Sequence, residues 1–224
     1  MPKAILSDWD ETLAHTRDAV VEALEYVLMQ YNKEPWEITK TKYRDTSKSL
    51  KENFPNFFAQ DADKAYREYL EYYVKYAYNK VYPMENANDF LDFCSQKGID
   101  LYIISNKEKS LLLKEVELCF PEIVFKKILG NGDAVLNKPS SAPVFKALDD
   151  VKYQINKDNV WLIGDSKQDS ECAYNANIQP ILFGEGKFTD EKYIKEKTNA
   201  RIPLLQFNNF NEIRAYLQKN KKTA

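Results

Sequence analysis

Four stretches of this sequence place reactive side chains at the edges of apolar runs. Asp8-Trp9-Asp10-Glu11-Thr12 follows Ala4–Ser7, and Ser105-Asn106 follows Ile99–Ile104. Lys138-Pro139 precedes a segment at 143–150, and Gly164-Asp165 follows Val160–Ile163, with Asp169 four residues on. Paired acids, a hydroxyl, a lysine and further acids are the types phosphoryl transfer needs: a nucleophile, a proton donor and cations to balance phosphate charge. Crowded carboxylates raise the pKa of at least one member, as an acid–base Asp requires. Each station also has a plainer reading. Asp8 and Asp10 are loop acids, Asp165 and Asp169 favour a helix dipole, Ser105 caps a helix, and Lys138 is a solvated lysine. The presence of all four favours a site.

Other chemistries are poorly supplied. His15 is the single histidine, so a multi-histidine metal centre is excluded and a Ser-His-Asp triad would depend on it. Cys94, Cys119 and Cys172 are far apart and form no CxxC, which argues against disulfides and zinc and fits a reducing compartment.

The elements that must position these stations follow from periodicity. Ala4–Ser7 reads as a buried strand. From Thr16, a plausible cap, Ala19, Val20, Ala23, Leu24, Val27, Leu28 and Tyr31 share one helical face, and Pro35 follows that helix. Thr46–Phe54 predicts a short helix closed by Pro55. Asp61 to about Tyr78 predicts another, capped by Asp61, with a stripe of Tyr66, Tyr69, Leu70, Tyr73 and Ala77. Residues 16–82 carry no strand signal. Beyond Pro83 helix and strand alternate: a helix from Asn86 to Lys97 ended by Gly98, a strand Ile99–Ile104, a helix Lys107–Leu118 and a strand Ile123–Leu129. The turn Gly130-Asn131-Gly132-Asp133 follows, then a helix Pro143–Asp150, a strand Val160–Ile163, a helix Ser166–Asn177, a strand Ile178–Phe183, a strand Arg201–Gln206 and a helix Asn211–Leu217. The tail Lys219–Lys222 reads as a frayed end. Repeated αβ units imply a doubly wound parallel sheet with helices on both faces, interrupted by an all-α insert. Active sites of such sheets lie beyond the carboxyl ends of the strands, where the stations fall.

The order DxDxT, Ser after a strand, Lys, then GDxxxD resembles the haloacid dehalogenase superfamily. The helical insert between the first two stations resembles the C1-type cap of its phosphoglycolate phosphatase-like branch. The resemblance implies a Rossmann-like core (1–14 and 84–224) and an α-helical cap (15–83). It implies Asp8 as nucleophile forming an aspartyl-phosphate, and Asp10 as general acid and then base. Ser105, Lys138 and the backbone N–H groups of Trp9 and Asn106 would bind the phosphoryl group. Mg²⁺ would take Asp8, the Asp10 carbonyl, Asp165 and, directly or through a second shell, Asp169. Thr12 would fix the loop. Glu11 stands where many relatives have Gly. His15, near the cap hinge, and Arg44, in the cap, are candidates to touch substrate.

The expected activity is Mg²⁺-dependent hydrolysis of a small phosphorylated metabolite. A dehalogenase and a phosphomutase are the rivals within the family, and a non-catalytic binding protein on the same scaffold is the rival outside it. A net charge of −2 with interspersed signs offers no basic field for nucleic acid or an anionic membrane. No stretch is apolar enough for a signal peptide or a membrane span. The expectation is a cytoplasmic monomer or weak homodimer.

Overall fold

The chain passes from β1 (Ala4–Ser7) through β2 (Ala14–His15) into four helices, α1 (Arg17–Gln30), α2 (Trp36–Tyr43), α3 (Leu50–Phe58) and α4 (Ala62–Tyr72). A π turn (Tyr73–Ala77) and β3 (Tyr82–Pro83) lead back. Then come α5 (Ala87–Gln96), β4 (Asp100–Glu108), α6 (Lys109–Cys119), β5 (Lys127–Asn131), α7 (Ala142–Ala147) and β6 (Val160–Gly164). The rest comprises α8 (Lys167–Asn175), β7 (Gln179–Phe183), α9 (Glu191–Thr198), β8 (Leu205–Phe207) and α10 (Phe210–Lys219). This computed structural model describes residues 1–46, 48–184 and 190–219, so the expected frayed tail lies outside the described residues from Asn220 onward.

Six parallel strands form one sheet in the order β5-β4-β1-β6-β7-β8. Period-two alternation divides its side chains between two cores. Ile5, Ile103, Ile163 and Ile181 face Phe90, Leu91, Leu112, Val116 and Ile213 of α5, α6 and α10. Ala4, Leu6, Ile104, Val160 and Leu162 face Val144, Ala147, Cys172 and Ala173 of α7 and α8. Helices therefore cover both faces, the expected doubly wound α/β architecture. Burying each such Leu or Ile stabilises by about 1.5–3 kcal/mol relative to exposure.

The helical block between β1 and β4 packs around aromatic rings, with Phe54 against Phe58, Tyr66 and Tyr69, and Trp36 edge-on to Phe57. The two chain crossings into and out of it pair as an antiparallel ribbon, Ala14 with Pro83 and His15 with Tyr82.

Several local expectations need correction. The third helix starts at Leu50, capped by Ser49, not at Thr46, and runs through Pro55 to Phe58. A capping box links Ser49 and Glu52, and Phe54, Phe57 and Phe58 are buried; together these offset the backbone hydrogen bond that Pro55 cannot donate. Pro35 does not merely follow a helix but begins α2, whose Trp36 N–H donates to Glu25 Oε1 at 2.9 Å. Thr16, Asp61 and Asn86 precede helices but make no side-chain cap bond. Gly98 ends α5 in the left-handed region at φ 69°, as expected of a helix-terminating glycine. α9 was not anticipated, because it is mostly charged and its apolar contact with the sheet is limited to Tyr193 and the partly buried Ile194. The last strand is confined to Leu205–Phe207. Most consequential for the site, β4 extends past Ile104 to Glu108 with an irregular register, so Lys107 lies on the strand end and not on the helix.

Candidate active site

Parallel pairing brings three strand ends to one level. Ser7 is in register with Ile103 of β4 and Ile163 of β6, and the Asp8 N–H continues the ladder to the Ile163 carbonyl at 2.8 Å. Asp8 therefore leaves the sheet beside Ser105 and Asp165. Oxygens of Asp8, Asp165 and Asp169 lie within 4.8 Å of one another.

Lys138 enters this cluster from the loop between β5 and α7. It is buried, with Nζ 2.6 Å from Asp8 Oδ1 and 2.6 Å from Asp169 Oδ1. Its main chain is clamped by Asn106: the Lys138 N–H donates to Asn106 Oδ1 at 3.0 Å, and Asn106 Nδ2 donates to the Lys138 carbonyl at 2.9 Å. The following Lys138–Pro139 peptide is cis. Asp169 uses its other oxygen on the Ser166 N–H (3.1 Å) and hydroxyl, closing the first turn of α8. So its capping reading and its site reading hold together. Gly164 makes room for it, since a Cβ there would stand 2.2 Å from Asp169 Cγ.

Electrostatics follow from burial. Loss of water, then the Asp169 carboxylate, push Asp8 up to about 7, against the pull of Lys138. Burial opposes the charge on Lys138, but Asp169 and Asp8 outweigh it and hold the lysine above its ordinary value.

The Asp8–Ala14 loop is a tight turn in which the Trp9 carbonyl accepts from the N–H groups of Thr12, Leu13 and Ala14. Thr12 is buried and braces the loop through this main-chain bond, its hydroxyl having no partner among the described residues. Glu11 sits at φ 57°, a conformation that suits Gly. Its Oε1 accepts from the N–H groups of Thr16 and Arg17, both at 3.0 Å. Glu11 thus supplies the cap of α1 expected from Thr16.

Asp10, partly exposed, meets Lys107 Nζ through Oδ1 at 2.9 Å. Lys107 also lies 3.2 Å from Glu115 Oε1 and donates to the Tyr73 hydroxyl at 3.3 Å. Glu115 is wholly buried and accepts from Tyr73 Oη at 2.6 Å and from Trp9 Nε1 at 2.5 Å. Burial works against the charge on Lys107, yet Asp10 and Glu115 raise it well above its ordinary value; burial raises Glu115. Sequence reading missed Lys107, Glu115 and Tyr73. Glu115 did leave a signal, as a charged residue on the same helical face as Leu111, Leu112 and Cys119.

Ser105 is buried at the same edge, where its Oγ accepts the Lys107 N–H at 3.2 Å. The Trp9 side chain is buried against Phe120. The His15 ring lies against Tyr82 (centroids 4.7 Å, tilted by 34°) in the ribbon and lines a cavity of about 160 Å³ with Glu11, Arg17, Asp18, Lys80 and Tyr82. The Arg44 guanidinium lies 5.7 Å over the Trp36 ring. Burial, then Arg17, lower its pKa while Asp165 acts oppositely, which places it within the field of the site. Gln168, also missed, accepts from Asn106 at 2.9 Å and donates to the Thr46 carbonyl at 2.8 Å, joining the core to the helical block. All three cysteines are buried with thiols pushed up to about 12 by burial, unsuited to nucleophilic work.

Comparison with known proteins agrees with this arrangement. A family profile described as haloacid dehalogenase-like hydrolase matches residues 5–183. Phosphoglycolate phosphatase of Aquifex aeolicus is 28% identical over 205 residues, 90% of either chain. Pyrophosphatase PpaX of Oceanobacillus iheyensis is 24% identical over 193 residues, 86% of this chain and 88% of that one. A haloacid dehalogenase-like family hydrolase from Streptococcus pneumoniae shares the fold with a TM-score of 0.78 at 20% identity, covering 97% of this chain and 99% of that one. A family match over most of the chain, on a six-stranded parallel sheet with these stations at its edge, makes this chain a member of the haloacid dehalogenase-like hydrolase family.

Proposed function

We propose that this hydrolase is a Mg²⁺-dependent phosphatase of small phosphomonoesters, working through an aspartyl-phosphate on Asp8. The observation that carries the reading is the buried Lys138 shared by Asp8 and Asp169 beside Asp165. A dianionic phosphate needs cationic partners at its oxygens, and a lysine fixed by two carboxylates is a preorganised one.

In the first step an Asp8 oxygen bonds to phosphorus, the ester P–O bond breaks, and Asp10 gives its proton to the leaving oxygen. In the second, water bonds to phosphorus and yields a proton to Asp10 as the Asp8–phosphorus bond breaks. Both aspartates are then restored. Ser105 and Lys138 would hold the phosphoryl oxygens, together with the Trp9 and Asn106 main chain. The Asn106 side chain instead orients Lys138. The all-oxygen cluster of Asp8, Asp165 and Asp169 fits a hard divalent cation, with the Asp10 carbonyl as a further donor. Asp169 already uses one oxygen on Lys138 and the other on Ser166, so Asp8 and Asp165 would be the direct ligands and Asp169 their support. Bound there, Mg²⁺ would neutralise charge on the nucleophile and phosphate.

The block 15–83 would act as a cap hinged at the β2–β3 ribbon, closing to exclude water. Arg44 and Arg17 would favour substrates with a second anionic group, a feature of both phosphoglycolate and pyrophosphate, for which the Aquifex aeolicus and Oceanobacillus iheyensis relatives are named. Phosphate release from a panel of phosphomonoesters, with Mg²⁺ and with EDTA, tests this. Wild type should turn over only with metal, and Asp8→Asn should lose at least about 10³-fold while folding normally. Retained turnover in the variant would remove Asp8 as nucleophile.

A further inference from the structure

Lys107, Glu115 and Tyr73 make a buried polar cluster that the proposed reaction does not itself require. Lys107 has a side-chain exposure of 6% and Glu115 of 0%, and they lie 3.2 Å apart. Burying an ion pair seldom stabilises a fold by more than well-packed apolar residues of the same size would. The arrangement instead has a direction. The lysine ammonium donates to Asp10 Oδ1 and to the Tyr73 hydroxyl, and pairs with Glu115 Oε1 as an ion. Glu115 is itself held on both oxygens, by Tyr73 and by the indole of Trp9, which sits between Asp8 and Asp10 in sequence. Every member is thus fixed by the others, and Asp10 is the most exposed of them.

Resting on the phosphatase reading above, we infer that Lys107, backed by Glu115 and Tyr73, is a positioning residue for Asp10. It holds Oδ1 so that Oδ2 carries the proton given to the leaving oxygen and recovered from water. Tyr73 belongs to the π turn that ends the helical block, so the seating of that block and the aim of the acid are linked. A π turn brings a side chain out of ordinary helical register, and here it delivers the Tyr73 hydroxyl to the lysine.

The test separates positioning from a general structural role by leaving group. Loss of acid aim should matter for an alkyl phosphate, whose alkoxide needs a proton. It should matter little for the first turnover of p-nitrophenyl phosphate, whose phenolate leaves unprotonated. Lys107→Met, Glu115→Gln and Tyr73→Phe are compared with wild type and Asp10→Asn in single-turnover and burst experiments with Mg²⁺. The network variants should lose about 10²-fold in alcohol release from the alkyl ester. They should keep nitrophenol release within about 5-fold, and show a nitrophenol burst as aspartyl-phosphate accumulates before slow hydrolysis. Tyr73→Phe keeps the ring and the ion pair, so it reports even where Lys107→Met fails to fold. Equal losses on both substrates, or none, in a folded network variant overturn the inference while Asp10→Asn remains leaving-group selective. An Asp10→Asn variant without that selectivity removes Asp10 as the general acid and this inference with it, and wild type that turns over neither ester with Mg²⁺ overturns the phosphatase reading itself.

Discussion

Gly164 shows how tightly one residue conditions the site. It ends β6, and the Asp169 side chain crosses where its Cβ would be. Gly164→Ala must displace Asp169, and with it one of the two carboxylates on Lys138. A shift of about 1 Å in such a group costs on the order of 10²-fold in rate. We expect Gly164→Ala to lower kcat by that order while circular dichroism still reports the folded state; kcat within about 2-fold of wild type would show that the carboxylate can relocate freely. At this scale much of the site was legible. Asp8 and Asp165 follow strand ends, Lys138 lies in a loop between elements and Asp169 is in the first turn of the helix after β6, and strand-edge reasoning searches such places. Lys107, Glu115 and Tyr73 were not legible, because their partners are remote in sequence: Asp10 is 97 positions from Lys107, and Trp9 is 106 from Glu115. Lys107 was also assigned to a helix, and only the irregular end of β4 turns it toward Asp10.

The start of α1 shows an element built on a compromise. Glu11 adopts φ 57°, which costs a non-glycine residue about 1 kcal/mol, yet its carboxylate caps two N–H groups of the helix. Glu11→Ala keeps the strain and loses the cap, so it should destabilise by about 1–2 kcal/mol. Glu11→Gly relieves the strain as it loses the cap, and should fall much closer to wild type. Urea unfolding of the two variants measures the difference, and an alanine variant as stable as the glycine one would remove the strain from the account. Capping by a side chain five residues upstream has no short-range signature, which is why Thr16 looked like the cap. The same limit explains the ribbon: two-residue strands such as Ala14–His15 have no period to read. Pro55 misled in the opposite sense, since the aromatic burial around it is a tertiary fact.

For the whole molecule, the crowded carboxylates tie global stability to pH and metal. Asp8 has an ordinary value of 3.8 and is pushed up to about 7 by burial and then by Asp169. A raised carboxyl means that the fold prefers its neutral form. The stability it contributes is full below the unfolded value and is lost as pH rises through 7. From pH 5.5 to about 7 is about 1.5 units, at most about 2 kcal/mol, and each kcal/mol moves Tm by about 2–4 °C in a chain of this size. The metal-free protein should therefore melt lower at pH 8 than at pH 5.5, and Asp8→Asn, having no proton to lose there, should show a smaller fall. A divalent cation held by this cluster, as the proposed function requires, would compete with that proton and bind only the folded state, so Mg²⁺ should raise Tm more at pH 8 than at pH 5.5. Thermal unfolding of both proteins in EDTA and in Mg²⁺ reads all three effects without any turnover. If wild type and Asp8→Asn melt in parallel across this range, the cluster does not hold its protons as the burial of Asp8 requires. If Mg²⁺ raises Tm equally at both pH values, the cation is binding away from Asp8.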